Sequence, residues 1–467
     1  MPHAVAGRGF CHNAGIATRM PMTATPTLIP PTIGKYRIER ELGRGASGIV
    51  YLGLDGFRGK RVAIKQMHAH LLAQPDQAER YRRLLRNEAA MSGRLRHPHI
   101  VRLLDADEDA AQPYLVLEYV DGQPLAAHAR ADALLPVPHV LDIAFKCCNA
   151  LEYAYREGLV HRDIKPANLM LAANGDVKLT DFGAALSLRS DATQLSGMVG
   201  SPSYMSPEQV REEDLTHHSD MFSLAIVVYE LLTGRRPFDG ETDFATLYKI
   251  SHEEPTPPSL LRVSLPGHVD AVLLRAMAKK PTDRFATWGD FAQALLDAHR
   301  DLPRQRSQDT EAERFGRLRE LPFFADFHDV ALWELMRLGN WRRLEQGTVL
   351  MREGQPGDSF CILIEGQVTV SRQGWTLSTL GPGVTLGEMT YLRPDNRLRT
   401  ATAVAETEVL VLKIRNPALR EASEDLQSRF DKAFIKLLVG RLVAANEQIA
   451  EWDMVAGQVF TPDDEQG

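Results

Sequence analysis

One short run near the middle of the chain places three kinds of polar group in a single loop. The run is HRDIKPANLML, residues 161–171, and it carries a carboxylate at Asp163, an ammonium at Lys165 and an amide at Asn168. The carboxylate can accept the proton of an attacking hydroxyl, the ammonium can neutralise a moving phosphoryl group, and the amide oxygen can bind Mg²⁺. An acidic residue and a nearby amide also form ordinary solvated turns. The surrounding sequence decides between these interpretations.

A glycine-rich segment precedes this run. It reads LGRGASGIVY, residues 42–51, and its three glycines stand among alternating apolar residues, which predicts a β-hairpin. Because glycine has no side chain, the backbone there can close over phosphate oxygens. A lone triplet of this spacing is a weak signal, and a simple tight turn explains it as well. A strand-like stretch, residues 62–65, follows and ends in Lys65.

Six segments in a fixed order, among them the three above, TDFG at 180–183 and SPE at 206–208, resemble the eukaryotic-type Ser/Thr protein kinases of bacteria. The resemblance covers residues 36–297, and residues 161–171 correspond to the catalytic loop. It implies a bilobal protein kinase fold, ATP and Mg²⁺ as cofactors, and protein substrates. Lys165, two residues after Asp163, favours serine and threonine hydroxyls over tyrosine. Small-molecule phosphotransferases, which rarely carry the complete set of segments, are a distant alternative.

The resemblance also implies roles for individual residues. Asp163 and Lys165 are the expected catalytic pair, and Asn168 and Asp181 are the expected ligands of the metal. Leu117 is expected to be the gatekeeper beside the adenine ring. The residues expected to hold ATP are Gly43, Gly45, Gly48, Val50, Ala63, Lys65, Glu88, Glu118 and Val120, with Asn168 and Asp181 acting through the metal.

Lys65 needs an anion to orient it, and a helix predicted from about residue 79 to 95 offers two. Glu79 and Glu88 are both candidates. Glu88 stands at the family's usual distance before HPHIV, residues 97–101, whereas Glu79 lies too early. The interval from Lys65 to Glu88 is longer than usual, which suggests an extended loop before the helix.

Other residues are expected to support the catalytic loop or to regulate it. Arg162 resembles the arginine that grips a phosphorylated activation loop in many kinases, and Thr193 or Ser196 is the expected phosphorylation site. Ser201 and Ser203 are expected to form the substrate platform. The residues implied to be structural are the pair Glu208 and Arg284, Asp220 behind the catalytic loop, and the histidines His97 and His99.

A second compact unit is predicted after residue 315. Short alternating stretches are bounded there by glycines at 347, 354, 357, 366, 374, 381 and 383. Evenly spaced turns of this kind favour a β-barrel or jelly roll. An amphipathic helix is predicted from about Leu426 to Trp452.

Two stretches of this unit resemble the phosphate-binding cassette of cyclic nucleotide-binding domains, over residues 316–450. The first contains Gly387 and Glu388, and the second begins with Arg399 and Thr400. A glutamate can accept from a ribose hydroxyl, and a buried arginine can donate paired hydrogen bonds to a cyclic phosphate. Because the interval between the two stretches is slightly longer than usual, Arg397 competes with Arg399 as the phosphate ligand. Arg399 is preferred, since it begins the alternating run that follows.

Composition excludes several other classes. The net charge of −7 gives no basic excess for nucleic acid or an anionic membrane. No stretch reaches the ~20 apolar residues of a membrane span, and the first 34 residues lack the apolar core of a signal peptide. The four cysteines have neither disulfide nor metal spacing, which indicates a reducing compartment and packing roles. We therefore expect a cytoplasmic protein whose true start is Met1, Met20 or Met22.

Taken together, the sequence predicts an α+β protein in five parts. These are a disordered leader (1–34), a protein kinase domain (36–297), a linker (298–315), a cyclic nucleotide-binding-like jelly roll with flanking helices (316–452) and a flexible tail (453–467). The predicted function is a Ser/Thr protein kinase regulated by cAMP or cGMP. Alternatives are a kinase whose C-terminal domain only docks or dimerises, and a non-catalytic nucleotide-binding scaffold. A homodimer is a further candidate assembly.

Overall fold

The computed structural model describes residues 29–45, 48–184, 186–187, 201–300, 311–393, 395 and 398–459. For residues 75–77, 184, 186–187, 299–300 and 444–459 it describes the backbone alone. The candidate starts Met20 and Met22, the loop residues Thr193 and Ser196, and Arg397 lie outside the described residues.

The N-terminal part is a twisted antiparallel sheet with one long helix. Alternating strand residues such as Val62 and Ile64 are buried beneath it, as the period of two predicts. The spatial order of the strands is β1-β2-β3-β4-β6-β5. The elements are β1 (Thr32–Ile33), β2 (Tyr36–Arg44), β3 (Gly48–Asp55), β4 (Lys60–Met67), α1 (Pro75–Ser92), β5 (Leu103–Asp107) and β6 (Tyr114–Glu118). β1 pairs with β2, although residues 32–33 belong to the range predicted as a leader.

The next part is built from helices around short strands. Every residue from Ser219 to Thr233 is buried, so this helix is the apolar centre of the part. It ends at Gly234, whose φ of +72° is a left-handed helix cap. The elements are β7 (Gly122–Pro124), α2 (Val137–Arg156), β8 (Leu159–Val160), β9 (Leu169–Ala172), β10 (Val177–Leu179), β11 (Leu186–Ser187), α3 (Pro207–Val210), α4 (His217–Thr233), α5 (Asp243–His252), α6 (Pro258–Leu261), α7 (Gly267–Ala276) and α8 (Trp288–Arg300).

The C-terminal part contains two four-stranded antiparallel sheets. Their strand orders are β12-β19-β14-β17 and β13-β18-β15-β16, and buried residues of β14 and β19 separate them. This is the α+β jelly-roll arrangement that the sequence predicts. The elements are α9 (Glu311–Glu320), α10 (Asp329–Leu338), β12 (Asn340–Leu344), β13 (Val349–Met351), β14 (Ser359–Glu365), β15 (Val368–Arg372), β16 (Trp375–Leu380), β17 (Thr385–Leu386), α11 (Met389–Leu392), β18 (Thr402–Ala405), β19 (Val409–Arg415), α12 (Asn416–Arg420) and α13 (Glu424–Val459).

The first turns of α13 close one end of the barrel. Phe430 and Phe434 are fully buried, and both rings lie within 6 Å of Phe360 on β14. Phe323 and Phe327, before α10, complete this aromatic cluster. Aromatic rings at such distances attract one another beyond their burial. α13 is longer than predicted and runs into the range 453–467 that was expected to be a tail. No helix within the described ranges is both long and apolar enough to cross a membrane.

The predicted linker, residues 298–315, is helical at both of its ends. α8 continues to Arg300 and α9 begins at Glu311, while residues 301–310 lie outside the description. Ala312, Phe315 and Leu318 of α9 are buried at intervals of three residues. The many charges around them conceal this helical period in the sequence, which explains why the stretch was predicted as a linker.

A buried ion cluster joins the helical part to α9 and α10. The side chain of Lys146 is 3% exposed, and its Nζ lies 3.0 Å from Asp142, 3.5 Å from Asp176 and 2.7 Å from Glu311. Asp142 also accepts the backbone N–H of Ala312. The burial lowers the pKa of Lys146, but its carboxylate partners raise it further, so the ammonium stays charged. The junction therefore rests on a buried ammonium and the buried Asp142, with Glu311, 44% exposed, at the solvent side of the cluster.

We predict that Lys146→Met lowers the free energy of unfolding by about 3–5 kcal/mol, because it leaves buried carboxylates without their cation. The matched control is Lys436→Met, which removes an exposed pair with Asp326 and should lower the free energy of unfolding far less. Chemical denaturation of the full chain measures both values. Equal losses in the two variants would contradict the structural role given to Lys146.

Candidate functional site

Lys65 lies at the meeting point of the sheet, α1 and the segment after β10. Its Nζ is 2.8 Å from Glu88 and 2.9 Å from Asp181. Burial lowers the pKa of Lys65, but the two carboxylates outweigh this effect and raise it. Burial similarly raises the pKa of Asp181, and Lys65 lowers it below its ordinary value. The site therefore holds one permanent cation between two acids.

Glu88, rather than Glu79, is the partner of Lys65. Glu79 is exposed and lies 3.6 Å from Arg86 on its own helix. Gly183 allows Glu88 to approach, since a Cβ at this glycine would lie 3.0 Å from the Glu88 carboxylate. The longer interval before α1 contains a 3₁₀ turn, Ala69–Leu72.

The carboxylate of Asp163 has a partner on each of its oxygens. Lys165 donates to Oδ2 at 2.7 Å, and Asn168 donates to the same oxygen at 3.1 Å. The backbone N–H of Ser201 donates to Oδ1 at 3.1 Å. Lys165 also donates to the hydroxyl of Ser201, at 2.9 Å. The structure therefore brings the three polar groups of the loop together and adds Ser201 to them.

Asp220 at the start of α4 holds this loop from behind. Its two oxygens accept the backbone N–H groups of His161, at 2.7 Å, and Arg162, at 2.8 Å. Arg162 has a φ of 70° and Asp181 a φ of 66°, both in a region that residues with side chains rarely adopt. Such strain persists only where the surroundings fix it. The Asp220 carboxylate provides that constraint for Arg162.

A second buried pair supports the segment that follows Ser201. Arg284 donates to both oxygens of Glu208, at 2.7 and 2.8 Å, as predicted from the sequence. Gln209 donates to the backbone oxygen of Arg162, at 2.9 Å, which connects this segment to the loop. Arg162 Nε has no hydrogen-bond partner among the described residues.

The residues predicted to hold ATP form adjacent rows across the sheet. Gly43 is opposite Val50, and Val50 is opposite Lys65. Ala63 lies two residues before Lys65, so the two side chains share a face of β4. Gly45 donates to the backbone oxygen of Gly48 at 2.9 Å, which closes the turn of the hairpin.

The hinge residues follow directly from this sheet. Leu117, the predicted gatekeeper, is opposite Ala63. Glu118 ends β6 and lies 2.9 Å from Lys178, and Val120 follows in a partly buried, irregular link. The backbone at Glu118 and Val120 therefore lies at the edge of the cleft between the sheet and the helices.

Asn168 and Asp181 could supply some of the oxygen ligands of a magnesium ion, and bound phosphates could supply others. The N–H of Thr180 donates to the backbone oxygen of Asn168 at 2.9 Å, which places the two residues on adjoining segments. Mg²⁺ usually takes only one or two protein carboxylates and fills its other positions with water and phosphate. Within the described part of the chain, no group of three or more His, Cys, Asp or Glu residues could hold a metal.

A cavity of about 440 Å³ opens in the C-terminal barrel and contains the predicted cassette. Glu388 and Arg399 both line it, together with Gly387 and Thr400. Arg399 donates to the backbone oxygen of Gly387 at 3.1 Å. A Cβ at Gly387 would lie 2.2 Å from the Arg399 guanidinium, so only glycine permits this approach.

Arg441 on α13 is a functional candidate that the sequence reasoning missed. It donates to the carboxylate of Glu388 at 2.7 Å, and Glu388 is only 3% exposed. In the sequence, Arg441 is an isolated charge in an apolar stretch of a predicted helix. That isolation is a usable signal, because a lone arginine among apolar residues usually has a specific partner.

A larger cavity, of about 760 Å³, lies between α2 and α10. It contains none of the predicted site residues. Its charged side chains pair with each other or with neighbours, as in the contact of His328 with Asp425 at 2.9 Å and that of Arg337 with Asp176 at 3.1 Å.

Comparison with known proteins gives two family matches along the chain. The model of the protein kinase domain matches residues 36–295, and the model of the cyclic nucleotide-binding domain matches residues 341–425.

Curated relatives match the first of these regions. The chain is 36% identical over 296 residues to serine/threonine-protein kinase PknB of Mycolicibacterium smegmatis, which covers 62% of this chain and 47% of the relative. It is 39% identical over 274 residues to the probable serine/threonine-protein kinase SCO3848 of Streptomyces coelicolor, covering 56% and 40%. It is 36% identical over 309 residues to serine/threonine-protein kinase Pkn1 of Myxococcus xanthus, covering 65% and 44%. The chain thus spans about half the length of the curated relatives it matches.

We predict that Asp220→Ala releases the backbone of the loop. Two buried N–H groups lose their acceptor, so the free energy of unfolding should fall by about 1–3 kcal/mol. The amide hydrogens of His161 and Arg162 should also exchange faster with solvent. Asp220→Asn keeps one acceptor oxygen and should give an intermediate effect. Unchanged exchange at both amides in the alanine variant would show that other contacts hold the loop.

Proposed function

Because the chain belongs to the protein kinase family, we propose that it transfers the γ-phosphate of ATP to serine and threonine hydroxyls of proteins. The observation that carries the proposal is the bridge from Lys65 to Glu88 and Asp181 at 2.8 and 2.9 Å. An active kinase needs this lysine and the metal-binding aspartate in place at the same time.

Each group in the cleft then has a defined task. Asp163 accepts the proton of the protein hydroxyl, and Lys165, 2.7 Å away, balances the charge that develops on the phosphoryl group. Lys65 holds the α- and β-phosphates, while the backbone at Glu118 and Val120 binds the adenine ring. The glycine loop closes over the phosphates.

Asn168 and Asp181 would hold Mg²⁺, which neutralises the phosphates when it is bound. Their side chains need only supply oxygens, since the loop geometry is already fixed by Asp163 and Thr180. Ser201 contacts both Asp163 and Lys165, the two residues proposed to act on the acceptor hydroxyl and the phosphoryl group. We therefore assign Ser201 to the substrate platform.

We further propose that the barrel binds a cyclic nucleotide and regulates the kinase. Arg399 donates to the cyclic phosphate, and Glu388 accepts from the ribose hydroxyl. Glu388 is held by Arg441 in this structure, so a nucleotide would compete with Arg441 for the same carboxylate. That competition couples the pocket to α13.

We expect nucleotide binding in the barrel to affect the kinase part through α10 and β10, rather than through residues 298–315 acting as a linker. The Trp333 ring of α10 contacts the His99 ring edge-on at 4.5 Å. His99 Nδ1 hydrogen-bonds the backbone oxygen of Val177 at 3.0 Å, and Val177 begins the strand that leads to Asp181. A nucleotide can shift activity along this path only by as much as its affinity differs between the two states. A cytoplasmic location also belongs to this proposal.

The first test removes the proton acceptor. Asp163→Asn keeps the shape of the loop, and Lys65→Met removes the phosphate contact, so phosphorylation of a generic basic protein with radiolabelled ATP should fall to background. Asp239→Asn, the same change at an exposed pair with Arg236, should retain full activity. Circular dichroism checks that each variant folds. Turnover at the wild-type rate in the Asp163 variant would overturn the assignment, and a folded wild type that binds ATP without transfer would be a scaffold.

The second test removes the hydrogen bonds that Arg399 is proposed to donate to the cyclic phosphate. Arg399→Ala should weaken binding of cAMP or cGMP at least about tenfold, because hydrogen bonds to charged groups are worth roughly 1.5–3 kcal/mol. Kinase activity should then stop responding to nucleotide while its basal rate persists. Arg415→Ala, an exposed arginine of the same barrel, is the control. Calorimetry against both nucleotides measures the affinities. If wild-type activity ignores millimolar concentrations of both, the barrel is a docking module instead.

A further inference from the structure

An apolar stripe lies exposed on α13 beyond the barrel. Among the side chains of this helix that the structure describes, Phe434 is the last that is fully buried. The residues that follow it include five large apolar side chains that are between 38% and 62% exposed: Ile435, Leu438, Val439, Leu442 and Val443. Soluble chains rarely leave contiguous apolar groups in water without a partner.

The stripe does not face the nucleotide pocket. Phe434 packs on Phe360 of the barrel, and Arg441 reaches Glu388 at its rim, so these two residues define the inward face. With 3.6 residues per turn, the centre of the stripe lies roughly 120° around the helix from that face. Closing α13 over the pocket would therefore leave the stripe uncovered.

The spacing of the stripe is that of a coiled coil. Ile435, Leu438 and Leu442 are separated by three and four residues, which is the a and d pattern of a heptad. In the sequence the same register continues at Ala445, Ile449 and Trp452. The helix backbone extends to Val459, so the repeat spans roughly three and a half heptads and about 37 Å.

We propose that this stripe pairs with the same stripe of a second copy of the chain, as a parallel two-stranded coiled coil. Apolar a and d positions sustained over three to four heptads are a sequence signature of a coiled coil. A two-fold axis between the helices makes the stripe complementary to itself, so the assembly closes at two copies.

The scarcity of charged residues along the stripe favours a second copy of the chain over a membrane or a charged partner. From Leu437 to Ala445, Arg441 is the only charged residue, and it is engaged with Glu388 of its own chain. The stripe therefore presents neither a basic face to an anionic membrane nor a charge pattern for a charged partner. The inference stands apart from catalysis and nucleotide binding, since it rests only on α13.

The test compares two placements of a negative charge on α13. Sedimentation of the full chain at tens of micromolar should give a dimer, and Leu438→Glu with Leu442→Glu should give a monomer. Gly440→Glu is the matched control, because Gly440 lies on the opposite side of the helix with no atom near its missing Cβ. That variant should remain a dimer. Circular dichroism and thermal unfolding check that all three chains fold.

A second measurement tests the orientation. In a parallel pair identical residues face each other, so Leu438→Cys should give a disulfide-linked dimer with an added thiol oxidant such as diamide, whereas Gly440→Cys should not. The proposal is overturned if the wild type is a monomer, if the double glutamate variant remains a dimer, or if both cysteine variants cross-link equally. A wild-type monomer that binds anionic phosphatidylserine vesicles through the stripe would identify a membrane as the occupant.

Discussion

The ammonium of Lys65 joins three elements that are far apart in the sequence. It belongs to the sheet, Glu88 belongs to α1, and Asp181 follows β10, yet all three meet within 2.9 Å. Because the cluster is largely buried, loss of one member leaves an uncompensated charge, which is far more costly than loss of an exposed pair. The relative position of sheet, helix and loop is thus fixed by the same ammonium that is proposed to contact the phosphates of ATP. This ion cluster therefore both stabilises the fold and sets the geometry of the site.

The backbone around the cleft is strained, and its strain is held by polar contacts rather than by packing. Arg162 and Asp181 both adopt positive φ. The N–H of Arg162 is held by Asp220, and its carbonyl accepts from Gln209. The apolar body of α4 then keeps Asp220 in place, since every residue from Ser219 to Thr233 is buried. The burial raises the pKa of Asp220, and the two backbone N–H groups oppose that effect. A core helix is in this way responsible for the geometry of the loop that contains Asp163.

Features were predictable from the sequence where the chemistry of a site requires a particular residue type. Features that depend on which side chains become buried were not. The kinase family, the fold class and the cyclic nucleotide-binding domain are confirmed, because glycine, lysine and carboxylate positions are recognisable in order. The assignment of individual site residues remains a prediction, although the geometry brings them together. α9 was missed because its buried Phe315 stands among charges. The isolation of Arg441 signals a partner, but Glu388 could not be identified as that partner from the sequence, since the contact depends on how α13 leaves the barrel.

The contact of His99 with Trp333, between the kinase part and α10, depends on packing rather than on charge. Burial lowers the pKa of His97 to about 3 and that of His99 well below its ordinary value. A histidine with a lowered folded pKa contributes stability above its unfolded value of about 6.5, and that contribution is lost as pH falls toward the folded value. Both rings are therefore neutral at physiological pH, and the contact of His99 with Trp333 does not change charge there. A change transmitted through this contact must therefore move the rings, since neither ring changes its charge at physiological pH.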